Sequence, residues 1–164
     1  MDETEARVVA ALDATGVPYQ LIDCDPALAD TAAFCEHYGY PPSRSANTIV
    51  VASKKDPKRY AACVVLATTR LDVNGVVRRR LEVNKASFAS PDETMALTGM
   101  AIGGVTALAL PPGLPLWVDA QVMAHPSVIL GGGSRSLKID VSPEVFGRLP
   151  NSEVVDGLAF VPSP

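Results

Sequence analysis

Apolar positions in the first part of the chain recur at helical spacing. Residues 3–14 place Val8, Ala11 and Leu12 on one face with Val9 beside them, and Thr15-Gly16 supplies a C-cap, so the spacing predicts a helix. The weak alternation over residues 19–23 predicts a strand, followed by a turn at Asp25-Pro26. Asp30 or Thr31 can cap a second helix over residues 32–38, closed by Gly39 and barred from continuing by Pro41-Pro42. Two β-branched runs, 47–53 and 61–67, flank a lysine-rich loop and predict an antiparallel pair. A short basic helix is expected over 75–81 and a brief strand over 87–89. Ser90-Pro91-Asp92-Glu93 puts serine at N-cap, proline at N1 and glutamate at N3, starting a helix that runs to Leu97 with Gly99 beyond its end.

The last third reads as strands at 105–110, 116–119, 127–130 and 136–141, with Pro111-Pro112-Gly113 turning the chain between the first two. Ser142-Pro143-Glu144 opens a final helix ending near Leu149, and residues 153–160 predict a last strand. Short helices among mostly adjacent strands argue an α+β domain rather than a strict βαβ alternation. We find no internal repeat and no linker, so residues 1–164 are read as a single domain with loose ends at 1–4 and 161–164.

Composition narrows the chemistry. With 48% hydrophobic and 20% charged residues, the chain has the balance of a folded globular protein. Its formal net charge of −4 gives no sign of a protein that grips a long nucleic-acid backbone, so DNA is not an expected partner. The cations are nonetheless grouped: Lys54, Lys55, Lys58 and Arg59 in one stretch, Arg78, Arg79, Arg80 and Lys85 in another, each able to meet a few phosphates or simply to face solvent. Three cysteines without a CxxC, and two distant histidines, give no metal-ligand spacing, so neither metal nor cofactor is expected. No secretory signal and no bilayer-length apolar run are visible, which places the expected location in the cytoplasm without membrane contact.

No side-chain nucleophile stands out. Ser134 in Gly131-Gly132-Gly133-Ser134-Arg135 lacks the glycine that a nucleophile elbow requires, and no helix follows to make the glycines a dinucleotide site. Cys35 and His37 are two apart on one predicted helix and point to different faces. The loop 99–107 is more informative, because Gly103-Gly104 before an apolar run can bring backbone donors and acceptors close to a ligand. The bland alternative is a tight turn at a strand start. Trp117 reads as core, His125 as a turn residue, Asp119 as a ligand-orienting group or a cap, and Arg135 as a phosphate contact or a partner for Asp140.

Several motifs occur in a telling order. Asp30-Thr31-Ala32-Ala33, then Ser45-Ala46-Asn47-Thr48-Ile49-Val50, then Ser90 through Gly99, then Gly103-Gly104-Val105-Thr106-Ala107, then Val118-Asp119 and Gly131 through Arg135 together resemble the YbaK/prolyl-tRNA-synthetase editing-domain family. The resemblance covers most of the chain. It implies a mixed, mostly antiparallel sheet or barrel flanked by short helices, and hydrolysis of the ester of mischarged aminoacyl-tRNA in trans. It implies the tRNA acceptor end as partner, with an aminoacyl-tRNA synthetase as a further one.

The site carried over by the resemblance comprises Asn47, Gly103 and Gly104 as the catalytic set, with Thr48, Val105, Thr106, Ala107, Asp119 and Arg135 binding substrate. Two positions depart from the pattern. Asn47 stands where the family has a lysine that holds the aminoacyl-tRNA end, and Ala107 where it has the loop proline. An amide supplies a donor and an acceptor but no charge, which weakens a grip on phosphate or ester. The competing expectation is therefore a catalytically silent tRNA-binding or regulatory module, and a third is a small-molecule ester or amino-acid binder. Lys54 or Lys85 are the cations that could stand in for the missing charge.

Overall fold

The chain fastens its own start. In the computed structural model, which describes residues 1–163, α1 (Glu3–Thr15) begins with a reciprocal capping box between Asp2 and Glu5 and ends on Gly16 in the left-handed conformation. Residues 1–4, expected to be loose, therefore hold the helix start, because two orphan amides there find carboxylate partners. At the other end residues 161–163 carry no regular structure, and residue 164, part of the same expectation, lies outside the described residues.

The order continues β1 (Tyr19–Asp23), α2 (Thr31–Tyr38), β2 (Ala46–Ser53), β3 (Tyr60–Leu66), β4 (Arg70–Leu71), α3 (Arg78–Leu81), β5 (Ala86–Phe88), α4 (Pro91–Thr98), β6 (Leu116–Asp119), β7 (Val128–Gly131), β8 (Leu137–Val141), β9 (Ser152–Val155) and β10 (Ala159–Phe160). A five-stranded sheet has the order β5-β2-β3-β6-β9, a three-stranded sheet β1-β8-β7, and β10 pairs with β4. Most pairings are antiparallel, including β2 with β3, but β6 runs parallel to both β3 and β9. The result is a mixed α+β domain with open sheets; the barrel alternative is not realised, since β5 and β9 end the large sheet. A parallel bridge from Ser45 to Ile129 ties the two larger sheets together.

One apolar cluster lies under α1 between the sheets, centred on Leu12, Met100, Leu116, Leu130, Ile139 and Phe146. A second, with Val51, Leu81, Trp117 and Leu158, covers the opposite face of the large sheet, and the Arg80 guanidinium lies 4.9 Å from the Trp117 ring centre. Trp117 is core, as its alternating strand suggested.

Several expected elements take another form. Residues 105–110 form no strand; Val105, Thr106, Ala107 and Leu108 are buried in irregular chain, and Ala109 adopts positive φ. The expected strand 153–160 is two strands broken at Asp156-Gly157, where Gly157 has φ +71°. The basic helix over 75–81 opens as a π-helical turn, Val73–Val77, whose Asp72 carboxylate accepts from the Gly75 and Val76 amides. The final helix is a 3₁₀ segment, Pro143–Arg148.

Cys63 on β3 is fully buried, and burial pushes its thiol up to about 12. The reactive thiolate is therefore scarce at that position at pH 8. Site-resolved mass spectrometry after alkylation at pH 8 should find Cys63 unmodified in the folded chain and labelled after unfolding. Rapid labelling of the folded chain at Cys63 contradicts the packing described here.

Candidate functional site

β2 lacks a neighbour along part of one edge. It pairs with β5 only over Val51, Ala52 and Ser53, and the last bond of that ladder runs from the Ala89 amide to the Val50 carbonyl at 2.9 Å. The chain then leaves for α4, whose start is fixed by the Ser90–Glu93 capping box. Backbone groups of alternate residues point to the same edge, so the N–H and C=O of Thr48 face outward where β5 no longer reaches. A cavity of about 360 Å³ opens there, and Asn47, Thr48 and Ile49 form one wall.

The opposite wall is built from the glycine loop and from β7 and β8, contributing Ile102, Gly103, Val105, Leu130, Gly131 and Lys138. Phe34 and Thr31 of α2 line it as well, while Phe88, half exposed, and Ile102 stand at the mouth. The Thr31 hydroxyl donates to Asn47 Oδ1 at 2.9 Å, which orients the amide and leaves its NH₂ as the remaining donor. The Thr48 hydroxyl is buried with no protein partner.

Sequence reasoning missed Lys138. Its ammonium donates to the Ala29 carbonyl at 2.7 Å and to the Gly103 carbonyl at 2.9 Å, and it lies 5.5 Å from the Phe34 ring centre. Only 7% of the residue is exposed. Burial pulls its pKa below the usual lysine value, and the neighbouring Arg135 adds to that, while Cys24, Asp30 and Cys35 oppose it. Lys54 and Lys85, the cations expected as stand-ins, lie elsewhere: the Lys54 amide bonds the Lys85 carbonyl, beyond the far end of β2, and neither lines the cavity.

The residues proposed from sequence thus divide. Asn47, Thr48, Gly103 and Val105 share the cleft. Gly104 does not supply a spare donor there, because its N–H bonds Ala101 and its C=O accepts from Gly133. Its glycine character serves close packing instead: a Cβ would lie 2.7 Å from Ser134 Cα. Thr106 is fully buried outside the cleft, and Ala107 lines a second, apolar cavity between the end of α1 and the Pro111–Pro112 turn.

Asp119 also lies away from the cleft, accepting from the Ala159 amide. Burial raises its carboxyl above the usual range, against backbone N–H groups of Ala159, Leu158, Ala120 and Gln121 that lower it. Arg135 braces the mouth from outside: its guanidinium meets Asp30 at 3.1 Å and the carbonyls of Ile102 and Pro26. Asp140, its other expected partner, pairs with Arg44 instead. Cys35 packs against the Ser45 hydroxyl in the core, Ser134 donates to Glu5, and His125 closes the turn after Ala124.

The open α+β architecture that carries this cleft is what the chain shares with known proteins. Residues 25–149 match the model of the aminoacyl-tRNA editing domain, and the chain belongs to that family. Among similar structures, one described as a candidate trans-editing enzyme for prolyl-tRNA synthetase is 23% identical, with a TM-score of 0.80 over 95% of this chain and 97% of that one. The hypothetical protein APE2540 is 25% identical, with a TM-score of 0.81 over 93% and 99% of the two chains. A third, described as a candidate signal transduction protein from Marinobacter aquaeolei VT8, is 18% identical at a TM-score of 0.64 and matches only 30% of that longer chain. Among the described residues no helix is long and apolar enough to cross a membrane.

Proposed function

We propose that the chain hydrolyses the ester bond of mischarged aminoacyl-tRNA in trans, in the cytoplasm, taking the acceptor end of the tRNA into the cleft at the free edge of β2. The observation that carries this reading is the convergence of Asn47 and Thr48 from one wall with Gly103 and Lys138 from the other on a single cavity. The family membership and the similarity to a candidate trans-editing enzyme support it. Among the described residues no Cys or His lines the cleft, so the reading assigns attack to water. Water adds to the ester carbonyl carbon, the bond to the terminal ribose oxygen breaks, and that oxygen takes up the proton water gives up. The cleft supplies orientation, and donors such as the outward Thr48 N–H meet charge developing on the carbonyl oxygen. One such donor typically contributes about 3–4 kcal/mol.

The reading is tested with tRNAs mischarged with alanine, serine, cysteine and threonine. The native chain should hydrolyse at least one well above buffer. Asn47→Lys should not raise that rate, because it breaks the bond from Thr31 and adds a second ammonium to a cleft that already holds Lys138. The silent-module reading, favoured by the uncharged Asn47, expects the reverse: no hydrolysis by the native chain and a clear gain on introducing lysine. An aminoacyl-tRNA synthetase is a further proposed partner, which co-purification with charged tRNA present would reveal.

A further inference from the structure

The cleft contains a buried charge whose own hydrogen bonds go to neutral groups. Lys138 is 7% exposed, and the two groups that accept its hydrogen bonds are neutral carbonyls, Ala29 and Gly103. Asp30, the carboxylate lining the same cavity, is engaged by Arg135 at the mouth. Buried ammonium groups are ordinarily paired with an anion, since desolvation is costly when only dipoles answer it. An ammonium also has three donors, and two are used here. Among the described residues the third has no acceptor within hydrogen-bond reach, and Lys138 lines the cavity.

Asp30 aside, the other polar groups of the cleft are neutral. Across the cleft the Thr48 hydroxyl is buried and unpartnered, and the Asn47 oxygen is already taken by Thr31. Among the described residues Asp30 is the one carboxylate lining the cavity, so a partner for the third N–H of Lys138 has to come from a ligand. We infer that Lys138 is a substrate-binding residue whose third N–H grips an acceptor oxygen of the aminoacyl group, delivering from β8 the positive charge that the β2 wall lacks at Asn47. This inference rests on the editing reading above and adds a residue to it. It also assigns the two carbonyl contacts a purpose, because they hold the ammonium at a fixed point between the loop before α2 and the glycine loop.

The experiment measures binding rather than turnover, so that the two proposals fail separately. The probes are 3′-amino-3′-deoxyadenosines carrying alanyl, seryl, cysteinyl or threonyl groups through a non-hydrolysable amide, titrated calorimetrically. The native chain should bind at least one. Lys138→Gln, which keeps an amide donor for the carbonyls but no charge, should weaken that probe about tenfold or more, and Lys138→Arg by much less. Adding Asn47→Lys to Lys138→Gln should recover most of the loss, since it returns a cation to the cleft from the other wall. A purely structural clamp predicts no such recovery, and that result overturns the inference. So does equal binding by Lys138→Gln and the native chain, while hydrolysis by the native chain would leave the editing reading standing. No binding of any probe by the native chain overturns the inference as well. Should the Lys138 variants fail to fold, a crystal structure of the native chain with a bound probe decides the matter. A probe oxygen within about 3.2 Å of Lys138 Nζ supports it, and none within that reach refutes it.

Discussion

Gly104→Ala should cost about 2–4 kcal/mol of stability and shift the melting temperature down by roughly 4–16 °C. The added methyl has nowhere to go, since its nearest neighbours are backbone atoms of Ser134, with the carbonyl oxygen at 2.5 Å and Cα at 2.7 Å. Backbone cannot rotate aside as a side-chain end can. One of the two segments must move, and the bond from the Gly133 amide to the Gly104 carbonyl, 2.8 Å long, goes with it. Overpacking of this kind typically costs 1–3 kcal/mol, and a lost hydrogen bond adds about 1. Gly103 and Val105, on either side, line the cleft, so binding and hydrolysis should fall along with stability. Gly147→Ala is the matching control, because nothing lies within 4 Å of its Cβ position; it should stay within about 0.5 kcal/mol. Thermal unfolding of both variants settles the matter, and a Gly104→Ala chain as stable as the control contradicts the close approach described.

The same glycine shows where sequence reasoning reached and where it stopped. That Gly103-Gly104 marks a close backbone approach was legible, because only glycine removes the Cβ. Which backbone approaches was not: Gly104 meets another part of the chain, and Gly103 alone faces the cleft. Elements fixed by local chemistry were legible in detail, such as α4 with its Ser90–Glu93 box and the β2–β3 pair with its β-branched runs. Residues 105–110 were misread because an apolar run signals burial, whereas a strand also needs a ladder of backbone pairs, and none forms there. Lys138 was hidden by its own strand. Leu137-Lys138-Ile139-Asp140-Val141 alternates as though one face met solvent, yet Lys138 is buried against α2. The useful signal sat on the neighbouring strand. Val128, Ile129 and Leu130 are consecutive and all buried, which marks a sheet covered on both faces, and Ile129 packs with Phe34 under α2.

Phe34 is where that covering layer meets the site, and Phe34→Ala should be the most damaging single truncation in the cleft. The ring is 1% exposed, stacks on Tyr40 at 5.4 Å with an interplanar angle of 8°, and lies 5.0 Å from Tyr38. Removing a buried phenyl group costs about 3–5 kcal/mol when the hole stays empty. Here the hole opens into the cavity, because Phe34 also lines the cleft, so water can enter and the loss should fall near the lower end. About 3 kcal/mol corresponds to a melting temperature lower by roughly 6–12 °C for a chain of this size. A functional loss should accompany it, since Lys138 lies 5.5 Å from the ring centre and would face water on that side. Rehydration relieves the burial that holds the Lys138 pKa down, so the folded-state value should move back toward the ordinary lysine value in Phe34→Ala. The sign for stability follows from proton counting. A folded-state pKa below the unfolded one means that the unfolded chain binds more protons in the interval between them, so native stability gains with pH across that interval. Phe34→Ala should flatten that gain relative to the native chain. Denaturant melts of both chains between pH 8 and about 10.5 measure it. An unchanged slope with stability lost by less than 1 kcal/mol would mean that neither the ring nor its burial of the ammonium holds this wall in place.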